Sequence, residues 1–282
     1  MEELFLKNDV DFLPFRCYNG ENRAEENAMN EYLCRGLTLP IAYHKALLEL
    51  QNAPVVPCPD WNTNQKEVSM TLVVDEPLRD NMISRLFFGD PVSLEQYRQE
   101  MLDGILDFEV ERGNWTYTYH ARYAWQYQFI LDELRRDPWS RRAVMDIRAP
   151  EDVGSPDPAC WQHVQYFLRD GALHCKVLFR SNDACKATFM NAFALILLQK
   201  RIADELGAAM GSYTHRANSF HCYERDFAML DGYCARIRSG ETDCEREDLT
   251  FSYADDWAEQ MEDAREVIAA KVESLKMGSS DR

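Results

Sequence analysis

An apolar run past the middle of the chain limits the fold more than any other feature. Within the segment 191–206, the run Ala-Phe-Ala-Leu-Ile-Leu-Leu is apolar on nearly every face of a helix. A helix of that kind is buried on all sides, and Gly207 suits its C-terminal end. We therefore predict a long buried helix, around which strands and other helices must pack.

A strong hairpin signal lies just before this helix. Asp170-Gly171 separates two strand-like segments, 161–168 and 173–179, and an Asp-Gly pair between strands favours a tight turn. Further strands are predicted at 68–74, 115–119 and 143–147, and further helices at 42–51, 94–106, 124–134, 225–237 and 257–275. Asp255 or Asp256 is expected to cap the last helix. Because these elements interleave irregularly, the predicted fold class is α+β, with a mixed β-sheet packed against the buried helix and further helices.

The chain is predicted to form one large domain with an extension. Its 282 residues are enough for a buried core. Pro14 and Asn19-Gly20 interrupt residues 1–40, which we interpret as an N-terminal extension. Residues 41–240 form the main domain, and residues 241–282 form a helical tail that belongs to it.

Charge and composition exclude several classes of protein. The formal net charge is −17, which argues against nucleic acid or an anionic membrane as the main partner, because both attract a basic surface. No run of about 18 apolar residues is present, and the first residues do not resemble a signal peptide. The nine cysteines include no Cys-x-x-Cys pair. We therefore expect neither disulfides nor a metal site, and a cytoplasmic location.

Cys160 is the candidate nucleophile. Any single cysteine is more often a small core side chain than a reactive one. Cys160 differs from the others in its position before the first strand of the predicted hairpin, while Arg180 lies at the end of the second strand. Hairpin pairing would bring the two residues together, and a nearby guanidinium favours the reactive thiolate.

Basic and hydroxyl side chains near Cys160 suggest a phosphate site. Arg180 and Ser181 together match the hydrogen-bonding needs of a phosphate, although they and Asp183 also suit a capped turn at the end of a strand. Arg141 and Arg142 would add positive charge. On local grounds, however, they are better explained as a solvated pair after a turn.

Three further polar residues have two explanations each. Asn191 is a helix cap by its local context, and its amide also matches the edge of a pyrimidine. His221 and Tyr223 lie one residue apart and so point to one face of an extended segment. They are either packing residues or ligands of a ribose hydroxyl.

Together these residues resemble the thymidylate synthase family. The shared pattern comprises, in order, Cys160, Arg180-Ser181-x-Asp183, Asn191 and His221-x-Tyr223. Two further matches are Asp137-Pro138-x-Ser140-Arg141-Arg142, which is similar to the family's Asp-Pro-x-Ser-Arg-Arg, and Tyr119 followed by Arg122, which is similar to the family's tyrosine near the catalytic cysteine. The resemblance covers residues 42–237 and is closer to the archaeal-type branch.

The resemblance implies a thymidylate synthase-like catalytic domain at 41–240 and a covalent mechanism. Cys160 would add to C6 of a pyrimidine nucleotide, which makes C5 a nucleophile. C5 would then take a one-carbon unit from 5,10-methylene-tetrahydrofolate or a related methylene-pterin. A hydride then gives a methyl group, which converts dUMP to dTMP, whereas water gives a hydroxymethyl group.

The resemblance also implies a role for each site residue and a homodimer. Arg180 and Ser181 would hold the phosphate together with Arg141 and Arg142 of the other subunit. The remaining implied roles are base reading for Asn191, sugar binding for His221 and Tyr223, placement of base and pterin for Asp183, and catalysis for Tyr119.

Three departures from the family leave the product open. The family's catalytic glutamate has no clean counterpart, and Asp80 is the nearest carboxylate that could replace it. Trp161 follows the cysteine in place of the usual histidine or leucine and would crowd or dry the pocket. The apolar C-terminal tail that closes over the folate is replaced by a charged helix, which could admit water at the methylene stage.

Two alternatives therefore stand beside a dUMP methylase. One is a 5-hydroxymethylase acting on dUMP, dCMP or CMP, and the other is a non-catalytic nucleotide-binding homologue. Asn191 favours uracil by family analogy, since deoxycytidylate hydroxymethylases carry aspartate. A flipped amide, however, also complements cytosine.

Overall fold

A mixed β-sheet covered by helices is the scaffold of the protein. The computed structural model describes residues 30–239 and 247–278. Its strands are β1 (Glu31–Gly36), β2 (Val55–Cys58), β3 (Thr63–Val74), β4 (Ile83–Ser84), β5 (Val144–Asp146), β6 (Trp161–Arg169), β7 (Ala172–Asp183), β8 (Ala209–Tyr223) and β9 (Thr250–Phe251). Its helices are α1 (Leu39–Gln51), α2 (Pro91–Asp103), α3 (Phe108–Glu111), α4 (Tyr119–Arg136), α5 (Thr188–Leu206), α6 (Phe227–Arg238) and α7 (Ala258–Gly278). In these described ranges, no helix has both the length and the apolar character needed to cross a membrane.

Strand β7 lies at the centre of the sheet. The strand order is β1-β3-β8-β7-β6-β5, with β2 paired to β3, while β4 and β9 form a separate pair. β7 is antiparallel to β6 and parallel to β8. The predicted hairpin is confirmed: Asp170 and Gly171 have φ values of 50° and 77°, as a type I′ turn requires. The predicted α+β class with a mixed sheet is therefore confirmed.

The predicted buried helix is α5, and it forms the centre of the hydrophobic core. Its residues 192–196 are all completely buried, and the helix ends at Gly207 with φ of 63°. Burying one large apolar side chain contributes about 1.5–3 kcal/mol. Alternate residues of β7, such as Val177 and Phe179, face this core. The intervening residues of β7, such as Lys176 and Leu178, lie on the opposite, more exposed face.

Two local predictions are wrong. The segment 115–119 is not a strand but a loop that leads into α4, where the Thr118 hydroxyl accepts a hydrogen bond from Ala121 N at 3.1 Å. The alternating sequence lacks a neighbouring strand to pair with. The last helix is capped by Ser252, not by Asp255 or Asp256, because a π-helical turn at Tyr253–Trp257 precedes α7. Asp256 instead accepts a hydrogen bond from Ser252 N at 2.9 Å.

The predicted extension overlaps the sheet. β1 pairs in parallel with β3, from Glu31 with Ser69 to Gly36 with Val74, and α1 begins at Leu39. The remainder of the predicted extension lies outside the described residues. The boundary at residue 40 therefore falls within α1, while the other predicted boundaries remain predictions.

Two glycines with positive φ values provide a test of the packing. Gly104 ends α2 with φ of 64°, and a Cβ there would contact His120 and lie 2.6 Å from Asp107 Oδ2. Gly171 has φ of 77°, with open space around its Cβ position. We expect Gly171→Ala to lower the free energy of unfolding by about 1–2 kcal/mol, from backbone strain alone. Gly104→Ala should lower it by about 2–4 kcal/mol, because a clash is added. Equal losses in urea unfolding would contradict this packing.

Candidate active site

One cavity brings together most of the predicted site residues. It has a volume of about 320 Å³, within the range of small-molecule sites. The predicted residues that line it are Tyr119, Cys160, Arg180, Ser181, Asp183, Asn191, His221 and Tyr223. The other lining residues are Trp61, Tyr97, Asp157, Asn182, Ala187 and Met190.

The β6–β7 hairpin holds Cys160 beside Arg180, as predicted. Arg180 N donates a hydrogen bond to Cys160 O at 2.8 Å. The guanidinium donates to Pro158 O at 2.6 Å and to Ala159 O at 3.2 Å, and it lies 3.9 Å from the Asp157 carboxylate. Arg180 therefore fixes the loop that carries the thiol, and it provides a positive charge in the cavity.

The electrostatic prediction for the thiol needs correction. Burial raises the pKa of the Cys160 thiol, and the charge of Arg180 offsets only part of that effect. Asp157 also raises the pKa. Without a ligand, the side chain is therefore a thiol at neutral pH, and the proximity of Arg180 alone does not make it a thiolate.

The parallel pairing of β7 and β8 aligns the polar residues at one end of the cavity. Ser181 lies opposite Ser219, and Asp183 lies opposite His221. Both serine hydroxyls are close to His221 Nδ1, at 3.5 and 3.4 Å. Burial lowers the pKa of His221, and the charge of Asp183 offsets part of this. The imidazole is therefore neutral at pH 7, and it can donate or accept a hydrogen bond.

The start of α5 brings Asp183 and Asn191 to the cavity. Asp183 Oδ1 accepts hydrogen bonds from Cys185 N at 3.0 Å and Lys186 N at 2.9 Å, which forms the turn before the helix. The helix begins at Thr188, so Asn191 lies in the first turn and is not the cap. Its side chain accepts a hydrogen bond from the Tyr97 hydroxyl of α2.

Arg141 and Arg142 do not line the cavity. Both are exposed, in the loop before β5. Arg142 Nε donates to Glu133 at 2.9 Å, and Ser140 also bonds Glu133. Hydrogen bonds from Arg136, Ser140 and Arg142 lower the pKa of Glu133 to about 2. This carboxylate therefore fixes the loop at the edge of the sheet.

Comparisons with known proteins show which family the sequence matches. Residues 96–263 match the family model of thymidylate synthase. A protein of Methanocaldococcus jannaschii, provisionally named a thymidylate synthase, is 31% identical over 62% of this chain and 83% of its own length. A similarly named protein of Methanosarcina barkeri is 25% identical over 71% of this chain and 93% of its own length.

This chain belongs to the thymidylate synthase family.

A solved structure shares the fold. Thermostable thymidylate synthase A from Bacillus subtilis superposes with a TM-score of 0.58, at 16% identity, over 76% of this chain and 94% of that chain. Thymidylate synthase family members bind a nucleotide, generally use methylene-tetrahydrofolate and typically form dimers.

Two residues expected at the thymidylate synthase site lie elsewhere. Asp80 does not line the cavity: it accepts hydrogen bonds from Ser252 Oγ at 2.6 Å and Tyr253 N at 2.7 Å, ahead of α7. Trp161 is buried in the core, stacked on Phe179 at 6.4 Å and edge-on to Tyr119 at 5.6 Å. Trp161 therefore does not crowd the cavity, whereas the alternative that it dries the pocket, by packing against Tyr119, stays a prediction. The hydrogen bonds of Asp80 give that residue a structural position.

Two aromatic residues that line the cavity, Trp61 and Tyr97, were not among the predicted site residues. Trp61 reaches the cavity from the turn between β2 and β3, because the pairing of β3 with β8 brings Gln65 opposite Tyr223. Tyr97 lies within the helix predicted at 94–106, where it is one of the apolar residues at helical spacing. Its contact with Asn191 spans 94 positions in the chain, so no local signal could have identified it.

A second cavity adjoins the first. Its volume is about 210 Å³, and it shares Tyr97 and Tyr119 with the larger one. The remaining lining residues are Glu100, Met101, Leu106, Trp115, Tyr117 and Thr118. Four of its eight lining residues are aromatic, which suits a flat ring. Burial raises the pKa of Glu100, whose carboxylate accepts a hydrogen bond from Gln96 at 2.7 Å.

The position of Asp80 predicts that its substitution affects stability and not turnover. Asp80→Asn should lower the free energy of unfolding by about 1 kcal/mol, as is typical for losing an exposed cap, and should leave nucleotide turnover within about twofold of wild type. Burial opposes the charge of Asp80, but hydrogen bonds, led by that from Ser252, outweigh it and lower its pKa. The stability difference should therefore be present at pH 7 and shrink as the pH falls through the folded-state pKa. A hundredfold loss of turnover at unchanged stability would show that Asp80 is catalytic.

Proposed function

We propose that the protein transfers a one-carbon unit from 5,10-methylene-tetrahydrofolate, or a related methylene-pterin, to C5 of a pyrimidine nucleotide and converts dUMP to dTMP. The main support for this proposal is that Cys160, Arg180 and Asn191 line one cavity. It combines a nucleophile, a phosphate-binding cation and an amide that can read a base. The family membership of the chain supports the same reaction class.

Different residues of the larger cavity bind different parts of the nucleotide. Arg180 and Ser181 bind the phosphate, since a guanidinium and a hydroxyl provide charge-assisted hydrogen bonds. His221 and Tyr223, whose rings are 4.8 Å apart, bind the sugar hydroxyl. Asn191 binds the edge of the base, at the α2 side of the cavity.

Cys160 performs the covalent step. Its sulfur bonds to C6 of the base, and the electrons of the C5–C6 double bond become available at C5. The thiol must lose its proton for this attack, which burial opposes and Arg180 assists. We assign proton transfer near C5 to Tyr119, because it lines both cavities and accepts a hydrogen bond from Trp161 N, next to the nucleophile, at 3.4 Å.

The smaller cavity is suited to the one-carbon donor. Tyr97, Trp115, Tyr117 and Tyr119 provide aromatic walls for a pterin ring, and Glu100 provides a polar group. When bound there, the methylene-pterin would supply the carbon that C5 accepts and the hydride that reduces this carbon to methyl, which leaves the carrier as a dihydropterin. Asp183 lies in the larger cavity and helps to place the two substrates.

A 5-hydroxymethylase is the second candidate, favoured by the position of α7. In the described part of the chain, no residue of α7 lines either cavity. The helix packs on α2 instead, where Arg265 Nε lies 2.9 Å from Glu95 and Lys271 donates to Gln96 at 2.8 Å. Water that reached the methylene stage would give hydroxymethyl in place of methyl.

One product assay separates these candidates. The purified protein is incubated with methylene-tetrahydrofolate and dUMP, dCMP or CMP, and the nucleotides are weighed by mass spectrometry. We expect a methyl product from dUMP. A hydroxymethyl product alone would establish the second candidate instead.

The same assay is paired with release of tritium from C5 of the labelled nucleotide. Cys160→Ser should abolish release, at least about a thousandfold, because the hydroxyl is a far weaker nucleophile. Cys58→Ser is a matched control, since that half-buried cysteine lies outside both cavities and its substitution should leave release unchanged. No release from the wild-type protein would favour a non-catalytic binder, and release that survives Cys160→Ser would refute the nucleophile.

We further propose a homodimer in which Arg141 and Arg142 complete the phosphate site of the partner subunit. Their exposure, in a loop fixed by Glu133, supports a role outside their own protomer. The exposed face of the sheet is a suitable surface for such a dimer. A phosphate carries up to two negative charges, whereas Arg180 is the single Arg or Lys among the described residues that line the cavity.

Subunit complementation tests this arrangement. Cys160→Ser chains, expected to be inactive alone, and Arg141→Ala/Arg142→Ala chains, expected to be weakly active alone, are co-expressed with different tags. Random pairing gives half mixed dimers, each with one intact site of two, so about a quarter of wild-type activity should return. Co-expressed Cys160→Ser and Cys160→Ala chains are the control and should stay inactive. Failure of the mixed dimers to regain activity would contradict arginines shared between subunits.

A further inference from the structure

The hydrogen bond between Tyr97 and Asn191 has a consequence for the choice of base. Tyr97 lies on α2 and Asn191 in the first turn of α5, and both line the larger cavity. The Tyr97 hydroxyl donates to Asn191 Oδ1. Asn191 is 6% exposed, so its amide has little freedom to find other partners.

The chemistry of the two groups favours this direction of donation. A phenol is a good hydrogen-bond donor, and an amide oxygen is a good acceptor. Burial raises the pKa of Tyr97, and the nearby Glu100 carboxylate raises it further, so the hydroxyl keeps its proton throughout the neutral range. If the amide flipped, its NH2 group would donate to the phenol oxygen, and the hydroxyl proton of Tyr97 would lose the acceptor that it has in this buried position.

The amide therefore presents a defined pattern to a base. Oδ1 has a second lone pair available, and Nδ2 remains as a donor. Uracil has an acceptor at O4 and a donor at N3, which match Nδ2 and Oδ1. Cytosine has the reverse pattern, with a donor at the 4-amino group and an acceptor at N3. Cytosine would need the flipped amide that Tyr97 disfavours.

We propose that Tyr97 is a positioning residue that holds the Asn191 amide in one orientation, so that the site selects a 4-oxo pyrimidine nucleotide over a 4-amino one. This inference rests on the proposed function, because it assumes that Asn191 reads a pyrimidine. Tyr97 acts through Asn191, and the sequence alone left the choice between uracil and cytosine open.

Binding measurements without the one-carbon donor test the inference. The dissociation constants of dUMP and dCMP are measured by calorimetry for wild type and Tyr97→Phe. Wild type should bind dUMP at least about tenfold more tightly, because the wrong base leaves buried polar groups unpaired. Tyr97→Phe should bring the two dissociation constants within about threefold of each other, since a free amide satisfies either base.

Two further variants separate orientation from general damage. Tyr127→Phe removes a tyrosine hydroxyl that bonds Glu205 at 2.7 Å, outside both cavities, and should leave the dUMP/dCMP ratio unchanged. Asn191→Asp should reverse the preference toward dCMP, because a carboxylate only accepts hydrogen bonds. The two oxygens of the introduced carboxylate are equivalent, so its orientation does not matter. Adding Tyr97→Phe to Asn191→Asp should therefore change the dUMP/dCMP ratio of dissociation constants by less than about twofold.

The outcomes distinguish this inference from the proposed function. If wild type binds neither nucleotide, the proposed function fails and the inference fails with it. If wild type prefers dUMP and Tyr97→Phe keeps that preference, the inference alone is refuted. The inference is also refuted if Tyr97→Phe shifts the ratio equally in the wild-type and Asn191→Asp backgrounds, because the tyrosine would then act on the cavity and not on the amide.

Discussion

The pairing of β7 with its two neighbours is the constraint on which the site depends. Its antiparallel partner β6 brings Cys160 beside Arg180, and its parallel partner β8 brings His221 opposite Asp183. Side chains alternate between the two faces of a strand, so a slip of one residue would turn Ser181 and Asp183 to the wrong faces. The buried apolar residues of β7, packed under α5, fix the register. The hydrophobic core thus positions the polar site.

The electrostatics of the site follow from its burial. A protein with a net charge of −17 repels an anionic nucleotide at long range, so binding depends on local charge and hydrogen bonds. Arg180 is held by the carbonyls of Pro158 and Ala159, which orient its guanidinium before any ligand arrives. The same burial keeps Cys160 protonated and His221 neutral. Without a ligand, the site therefore combines a neutral thiol and a neutral imidazole with the positive charge of Arg180, which suits a charged ligand.

The sequence predicted features that are local or that carry a distinct pattern. The apolar run of α5, the Asp170-Gly171 turn and the spacing from Cys160 to Tyr223 are of this kind. Contacts between segments distant in the chain were not predictable, as with Tyr97, which looks like one apolar position of α2. The strand predicted at 115–119 does not form. Alternating aromatic and threonine residues give a preference for extended structure, but a strand also needs a neighbouring strand to pair with. Asp80 was predicted only from its position near a missing motif in the sequence, whereas its carboxylate accepts a hydrogen bond from Ser252, 172 positions away.

The C-terminal helix acts on the site through α2. Glu95 of α2 is almost completely buried, and its carboxylate bonds Arg98 of the same helix at 2.7 Å and Arg265 of α7 at 2.9 Å. Burial opposes the charge of Glu95, but these hydrogen bonds outweigh it and lower the pKa of the carboxyl. A buried charge held this way is costly to displace, so α7 fixes the position of α2. Tyr97, two residues after Glu95, is thereby held against Asn191. None of the described residues of α7 lines either cavity, yet under the proposed base recognition the helix would help to hold Tyr97 where it orients Asn191.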